Sequence, residues 1–306
     1  MVLSFLACTP EVLPTPPLLI EQLDLGSRSI GESTLVVGPD GTSVLIDVGN
    51  DAHDDEVREA LELRTGRGIP DYTLITHFDA DHCGSLSDLD DFGTLIWRGG
   101  ERPDTSEWVE PPSAVELCDA AGCDLPWSLE LGDGAVLEVL VADGTLPSGE
   151  HMDLDEENPR SLVGVVSWGD FAYLFTGDVT GGGKGTADVE TFIVEGLDLP
   201  DVDVAHISHH GISSSTNAAW VDAVFPDDGN IRHGLVGANK AYLSAPDEAV
   251  LERLGPRVEQ VWASSSGSLA DEHPRLTVVG GSVAIHVEAE GYRIAGRSGD
   301  EELLWP

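Results

Sequence analysis

The stretch Thr76-His77-Phe78-Asp79-Ala80-Asp81-His82-Cys83-Gly84-Ser85 sets two histidines and two aspartates directly after the apolar run Tyr72-Thr73-Leu74-Ile75. A predicted β-strand that ends in four such side chains points to a cation site, because imidazole and carboxylate are the usual ligands of Zn, Mn and Fe. The competing reading is an acidic surface loop that happens to hold two histidines. Two further segments repeat the pattern. Phe171-Ala172-Tyr173-Leu174-Phe175-Thr176 is an apolar β-type run that ends in Gly177-Asp178. Val202-Asp203-Val204-Ala205-His206-Ile207-Ser208 alternates in strand fashion and ends in His209-His210-Gly211. Glycine beside two of the three strand ends permits an unusual turn or a close approach to a ligand. If the three ends lie side by side, residues distant in sequence converge on one point.

In this combination the chain resembles the metallo-β-lactamase superfamily, whose signature is His-x-His-x-Asp-His. Within it the chain looks most like the domain that ends the ComEC/Rec2 competence proteins and its stand-alone relatives. Those members carry Asp where the wider family has the second His, as in His77-x-Asp79-x-Asp81-His82-x-Gly84. They share an early strand pair like Gly38-Pro39-Asp40-Gly41-Thr42-Ser43-Val44-Leu45-Ile46-Asp47-Val48-Gly49, and also Asn158-x-x-Ser161-Leu162, Thr176-Gly177-Asp178 and His209-His210-Gly211. The matching stretches run from about Leu23 to Leu254.

The resemblance implies an α/β fold, a single domain built as the superfamily's four-layer αββα sandwich, with metals at the strand ends along one edge. It also implies roles. His77 and Asp79 would hold one divalent ion, Asp81 and His82 the other, with Asp178 bridging both. His209 or His210 would complete the second ion; His209, first off the strand, is the expected ligand. Asp81 would orient the attacking hydroxide, and His210 would protonate the leaving oxygen or bind the substrate anion. Asn158, His210 and Ser213 are the candidate substrate contacts. The hydroxyls of residues 213–216 could donate to a phosphate, or instead cap a helix from Asn217.

Two departures from the family matter. Where the wider family gives the first metal another histidine, this chain offers Asn158, and where the competence domains have a late histidine it reads Asn239-Lys240-Ala241-Tyr242-Leu243-Ser244-Ala245-Pro246. A ligand set short of nitrogen and rich in oxygen shifts preference towards Mn and similar hard ions. The expected cofactor is therefore one or two divalent metal ions, Zn or Mn. The expected chemistry is hydrolysis by a metal-bound hydroxide, since a divalent ion lowers the pKa of bound water from about 15.7 to near 7. The reading is a metal-dependent hydrolase of phosphodiester or nuclease type. A carbon-centred hydrolase of lactones, thioesters or β-lactams is the alternative, because the fold alone does not choose; a non-catalytic surface protein with a partial metal site is a third.

The 306 residues carry 15 basic against 56 acidic side chains, a net charge of −41. Duplex binding relies on Lys and Arg displacing counterions from phosphates, and no basic run exists to do so. A small or single-stranded phosphodiester is the expected substrate, and long duplex nucleic acid is not. The acids are scattered, which suits a solubility or salt-tolerance adaptation of the surface.

No apolar stretch reaches the roughly 20 residues that a membrane-spanning helix needs. Residues 1–17 read as an N-terminal tether, and Leu6-Ala7-Cys8 resembles the end of a truncated bacterial lipoprotein signal, with Cys8 as lipid anchor. An exported or surface lipoprotein is thus expected over a cytoplasmic protein. Cys118 and Cys123 are spaced for a small loop disulfide, and Cys83 reads as a buried hydrophobe. The domain proper is expected over 18–296, with 297–306 as a tail.

Helices are expected over 54–64, from Ser85, and over 186–194, 217–224 and 246–254. Residues 98–127, rich in Pro and acids, read as a long loop or lid. The strands expected at 276–279, 283–287 and 292–294 read as one closing meander. Gly181-Gly182-Gly183-Lys184-Gly185 lacks phosphate-loop spacing and reads as a turn. His206 reads as a packed core residue; His53, His151, His233, His273 and His286 read as surface or structural.

Overall fold

Alternation along the strands decides the architecture, because successive side chains point to opposite faces. The computed structural model describes residues 17–102, 111–238, 245–265, 273–298 and 301–304. The proposed lipid anchor Cys8 and residues 239–244 lie outside them.

In chain order the elements are β1 (Leu18–Gln22), β2 (Thr34–Val37), β3 (Ser43–Ile46), α1 (Asp54–Thr65), β4 (Tyr72–Ile75), α2 (Ala80–Cys83), β5 (Thr94–Gly99), β6 (Ala114–Asp119) and β7 (Gly122–Cys123). Next come β8 (Trp127–Glu130), β9 (Val136–Val141), β10 (Val163–Trp168), β11 (Phe171–Phe175), α3 (Val189–Gly196), β12 (Val204–His206) and α4 (Ala218–Val224). The chain closes with β13 (His233–Val236), α5 (Glu248–Leu254), β14 (Gln260–Ala263), β15 (Leu276–Val278), β16 (Ser282–Glu288), β17 (Gly291–Ser298) and β18 (Glu301–Leu304). They form one sheet in the order β18-β17-β16-β1-β2-β3-β4-β5-β6-β7 and a second in the order β15-β14-β13-β12-β11-β10-β9-β8.

The inward faces of the two sheets meet. Leu18, Ile20, Val44 and Leu74 of the first pack with Val139, Val166, Phe175 and Trp262 of the second in one buried core. The outward faces each take helices. Leu19, Leu45 and Ile75 pack on Val57 and Leu61 of α1, and Leu174, Ala205 and Val261 pack on α3, α4 and α5 through Ile193, Trp220 and Leu251. Helix, sheet, sheet, helix is the four-layer sandwich expected. Burying each such side chain contributes about 1.5–3 kcal/mol, so strands sealed on both faces read as near-continuous apolar runs.

Local signals explain α1. Asp54, Asp55 and Glu56 lie in its first turn, Val57, Ala60, Leu61 and Arg64 form its buried stripe, and Gly66 ends it in the left-handed conformation. Arg64 Nε meets Glu21 Oε2 at 2.6 Å with both side chains buried, which ties the helix to β1.

Several expectations need correction. Residues 98–127 are not simply a loop: β6 runs parallel to β5 and continues through a hairpin into β7. Cys118 and Cys123 form a disulfide across that hairpin. The closing strands are no single meander, because β15 pairs with β14 in the second sheet while β16 and β17 pair in the first. The expected tail contains β18, which pairs with β17. The helical turn after β4 begins at Ala80, inside the histidine-rich loop, and runs on as a 3₁₀ turn over Gly84–Ser87. No helix among the described residues is long and apolar enough to cross a membrane.

Candidate metal centre

The carboxyl ends of neighbouring strands build the site. β3 delivers Asp47, β4 delivers the loop from Thr76 to His82, β11 delivers Gly177-Asp178, and β12 delivers the 3₁₀ turn His209–Gly211. The two sheets are joined here, as Leu162 N–H donates to Thr76 O at 3.0 Å, while His209 N–H donates to Gly177 O at 3.2 Å between adjacent strand ends of the second sheet. Gly177 adopts φ 48°, and a Cβ there would stand 2.8 Å from the Thr76 side chain and 2.9 Å from Ser161 Oγ. Only glycine lets the strand end turn so tightly against the loop.

Asp178 is the hub. Its Oδ2 lies 3.4 Å from His82 Nε2, 3.4 Å from His210 Nε2, 3.7 Å from His209 Nε2 and 3.9 Å from His77 Nε2. Three separate strand ends therefore do converge, as the sequence pattern requires. Burial pushes the Asp178 carboxyl up, but His210 and His82 outweigh it and hold the group well below the usual carboxylate range.

Three of the imidazoles are oriented from behind through Nδ1. His82 Nδ1 meets Asp47 Oδ2 at 2.8 Å, His210 Nδ1 meets the Gly237 carbonyl at 2.6 Å, and His77 Nδ1 meets Thr76 Oγ1 at 3.1 Å. With the proton on Nδ1, each Nε2 presents its lone pair to the centre, the arrangement that supporting groups impose on ligating histidines. Burial lowers His82, yet Asp178 and Asp47 outweigh it and leave the group well above its ordinary pKa, so the ring carries a second proton that a bound cation would displace from Nε2. Burial and the neighbouring His82 bring His77 down to about 3, so it stays neutral and able to ligate.

The remaining predicted residues surround this core. Asp79 Oδ2 stands 3.8 Å from His77 Nε2 with its side chain 44% exposed. Burial, then repulsion from Asp81, lifts its carboxyl to about 6. Asp81 Oδ2 lies 3.5 Å from His210 Nε2; burial raises its carboxyl, but the bond to His210 and the charge of His82 hold it below its ordinary range. Asn158 Nδ2 meets His209 Nε2 at 2.9 Å, and Ser214 Oγ meets His209 Nδ1 at 2.9 Å. Ser214 rather than Ser213 thus reaches a site imidazole, and the Ser213 N–H is committed to Asp247 Oδ2 at 2.7 Å. Asn217 caps α4 itself by accepting from Trp220 N–H. Of the pair, His210 is the more deeply buried, its side chain 2% exposed against 13% for His209.

Buried His77 Nε2 and Asp178 Oδ1 have no hydrogen-bond partner. Each such atom costs about 1–3 kcal/mol, and a cation between them would offset that cost, so the donor set fits a divalent ion. Glu32, His82, Asp178 and His210 offer ligand atoms all within 4.8 Å of one another. Cys83 is buried with its thiol donating to the Phe78 carbonyl at 3.4 Å, and burial pushes that thiol up to about 12. Sequence reasoning gave no role to Glu32 or Asp47. Glu32 stands alone in a loop and leaves no spacing signal, whereas Asp47 ends a strand, the same signal that marks Asp178. His206 is buried as expected, but it bonds Thr176 Oγ1 through Nδ1 at 2.8 Å, so it is more than packing.

The turn that carries Ser214 is held by Glu190 of α3, whose oxygens accept from Thr216 N–H at 2.5 Å and Asn217 N–H at 2.7 Å. Burial outweighs these bonds and pushes the carboxyl up to about 7. An acid raised in the folded state contributes stability that is full below its unfolded pKa and is lost as pH rises through the folded one. Between pH 4.5 and about 7 Glu190 should therefore withdraw about 3 kcal/mol. Denaturant unfolding at stepped pH is expected to show that loss in the wild-type chain and to lack it in Glu190→Gln.

Residues 28–231 match the family model described as the Metallo-beta-lactamase superfamily. No curated protein matches the sequence. Among solved structures, the chain is similar to Tm1679, a metal-dependent hydrolase of the beta-lactamase superfamily, at 18% identity and TM-score 0.47 over 82% of this chain and 97% of that one. It is similar to the metallo-beta-lactamase fold protein YhfI from Bacillus subtilis at 9% identity and TM-score 0.47, over 82% of this chain and 98% of that one. Zn(2+)-bound PqqB from Methylobacterium extorquens shares 13% identity at TM-score 0.44, over 82% of this chain and 98% of that one.

Proposed function

The chain belongs to the metallo-β-lactamase superfamily, a family of metal-dependent hydrolases, and from that premise we propose that it hydrolyses small or single-stranded phosphodiesters with one or two divalent ions, Zn or Mn. The carrying observation is the crowding of four Nε2 atoms around Asp178 Oδ2, with buried His77 Nε2 and Asp178 Oδ1 lacking partners. His77 and Asp79 would hold one ion, Asp81, His82 and His210 the other, with Asp178 between. A divalent cation supplies a water acidic enough to ionise near neutral pH and offsets the charge of a phosphate.

The chain's own groups do the rest. Asp81, fixed below its ordinary range and partly open to solvent, is an acceptor that can orient the attacking water. His209 is the more exposed of the histidine pair and is steadied on both ring nitrogens by Asn158 and Ser214. It takes the substrate-facing position, held neutral because burial lowers its pKa, with His210 as inner ligand, the reverse of the assignment drawn from strand position. Three carboxylates and the ComEC/Rec2-like motif pattern support the phosphodiester reading, since an oxygen-rich set favours hard ions.

The test is turnover of bis-(p-nitrophenyl) phosphate, a lactone and nitrocefin by metal-free chain reloaded with Mn or Zn. Diester turnover is expected, and Asp81→Ala should lower it at least about 100-fold, the scale of a lost acid–base group. Turnover of the lactone or nitrocefin alone would move the reading to carbon-centred hydrolysis. Bound metal without any turnover would overturn the enzymatic reading.

A further inference from the structure

A lone carboxylate taken out of water costs several kcal/mol unless it is paired, and Glu32 is 5% exposed in the loop between β1 and β2. Its surroundings join parts of the chain that no motif connects. The Glu32 N–H donates to Asp81 O at 2.9 Å, inside the metal loop of the first sheet. Its side chain reaches the second sheet, with Oε1 2.5 Å from His206 Nε2 and Oε2 3.1 Å from His210 Nδ1. The other nitrogen of His206 meets Thr176 Oγ1 at 2.8 Å, two residues before Asp178. Gly237, whose carbonyl accepts from His210, has no side chain at the spot where a Cβ would lie 2.3 Å from Glu32 Cδ.

We propose that Glu32 and His206 are a positioning couple for the bound cation. They hold His210 with its Nε2 aimed at Asp178, and they pin the Asp81 loop to the second sheet, though neither residue ligates. This rests on the metal-centre reading above. Glu32 belongs to the group of carboxylates and imidazoles whose atoms lie within 4.8 Å of one another, but it approaches His210 from the Nδ1 side while Nε2, across the ring, faces Asp178 and His82, which places it behind the ligand and not beside the cation. Groups that support a ligating histidine tune metal affinity by about 10–100-fold.

The experiment titrates the metal-free full chain with Zn and with Mn by calorimetry and records the visible spectrum of its Co(II) form. Glu32→Gln is expected to weaken the tightest binding by about 10–100-fold and to shift the Co(II) bands. Gly237→Ala keeps every ionisable group and every ligand but pushes Glu32 aside, so it should move both readouts the same way. Circular dichroism of the metal-free variants establishes that they are folded; if Glu32→Gln is not, Gly237→Ala decides. Folded variants that bind within about twofold of wild type, with unchanged Co(II) bands, overturn the couple. A wild-type chain that binds none of the three metals sinks the metal centre itself, a distinct outcome.

Discussion

Asp178→Asn is expected to strip the protein of its divalent cations and, with them, of turnover. The substitution keeps the shape of the side chain and removes only its charge. That charge sits within 3.4–3.9 Å of four imidazole nitrogens, on a side chain that is only 3% exposed. His210 and His82 hold it ionised against burial, so it is a fixed anion at the point where two cation positions would meet. An amide in its place would direct N–H groups at a cation or at lone pairs meant for one. The loss of affinity should exceed the roughly 100-fold upper limit for removing a supporting group. Metal content after gel filtration and diester turnover at matched folded fraction measure it. Wild-type values for both would refute the assignment of Asp178 as the bridging group.

The sheets and the centre differ in how far they can be read from residues alone. Strands sealed on both faces announce themselves as apolar runs, and those at 72–75, 171–175 and 204–206 end in the residues that converge. Pairing is another matter. Leu276–Val278 and Ser282–Glu288 are both plainly strands, yet alternation says nothing about which sheet each joins, and the chain crosses from one sheet to the other between them. Ala114–Asp119 escaped because its burial is confined to two positions and it follows a stretch rich in Pro and acids that masks a short strand. In the centre, ligands were legible because they cluster or sit beside glycine. Their supports were not, because a carboxylate that acts at long range in sequence, such as Glu32 on His206 and His210, looks like any of the many acids of a chain with charge −41.

Asp47→Asn tests the support that the sequence did display without its meaning being drawn. Asp47 stands just past β3 with φ 60°, a left-handed conformation that Asn tolerates and most residues do not, so the substitution leaves the backbone unstrained. In the wild-type chain Oδ1 accepts from Thr76 N–H at 2.7 Å, while Oδ2 accepts from Thr76 Oγ1 at 2.7 Å and faces His82 Nδ1 at 2.8 Å. Asparagine can keep the bond to the Thr76 N–H through its oxygen. Its NH₂ then faces His82 and Thr76, a donor where an acceptor is needed. The imidazole answers by moving its proton to Nε2, the nitrogen that faces Asp178 at 3.4 Å. A protonated Nε2 cannot bind a cation. The expected loss is about 10–100-fold in cation affinity, with turnover at limiting metal falling in step and recovering as metal is added. Asp47→Ala should lose as much affinity and, in addition, about 1–3 kcal/mol of stability for each buried donor left without an acceptor. Calorimetric metal titration and denaturant unfolding separate the two effects. If Asp47→Asn binds metal as the wild type does, Nδ1 of His82 is not the nitrogen that fixes its tautomer, and the account of how the first sheet aims its ligands fails.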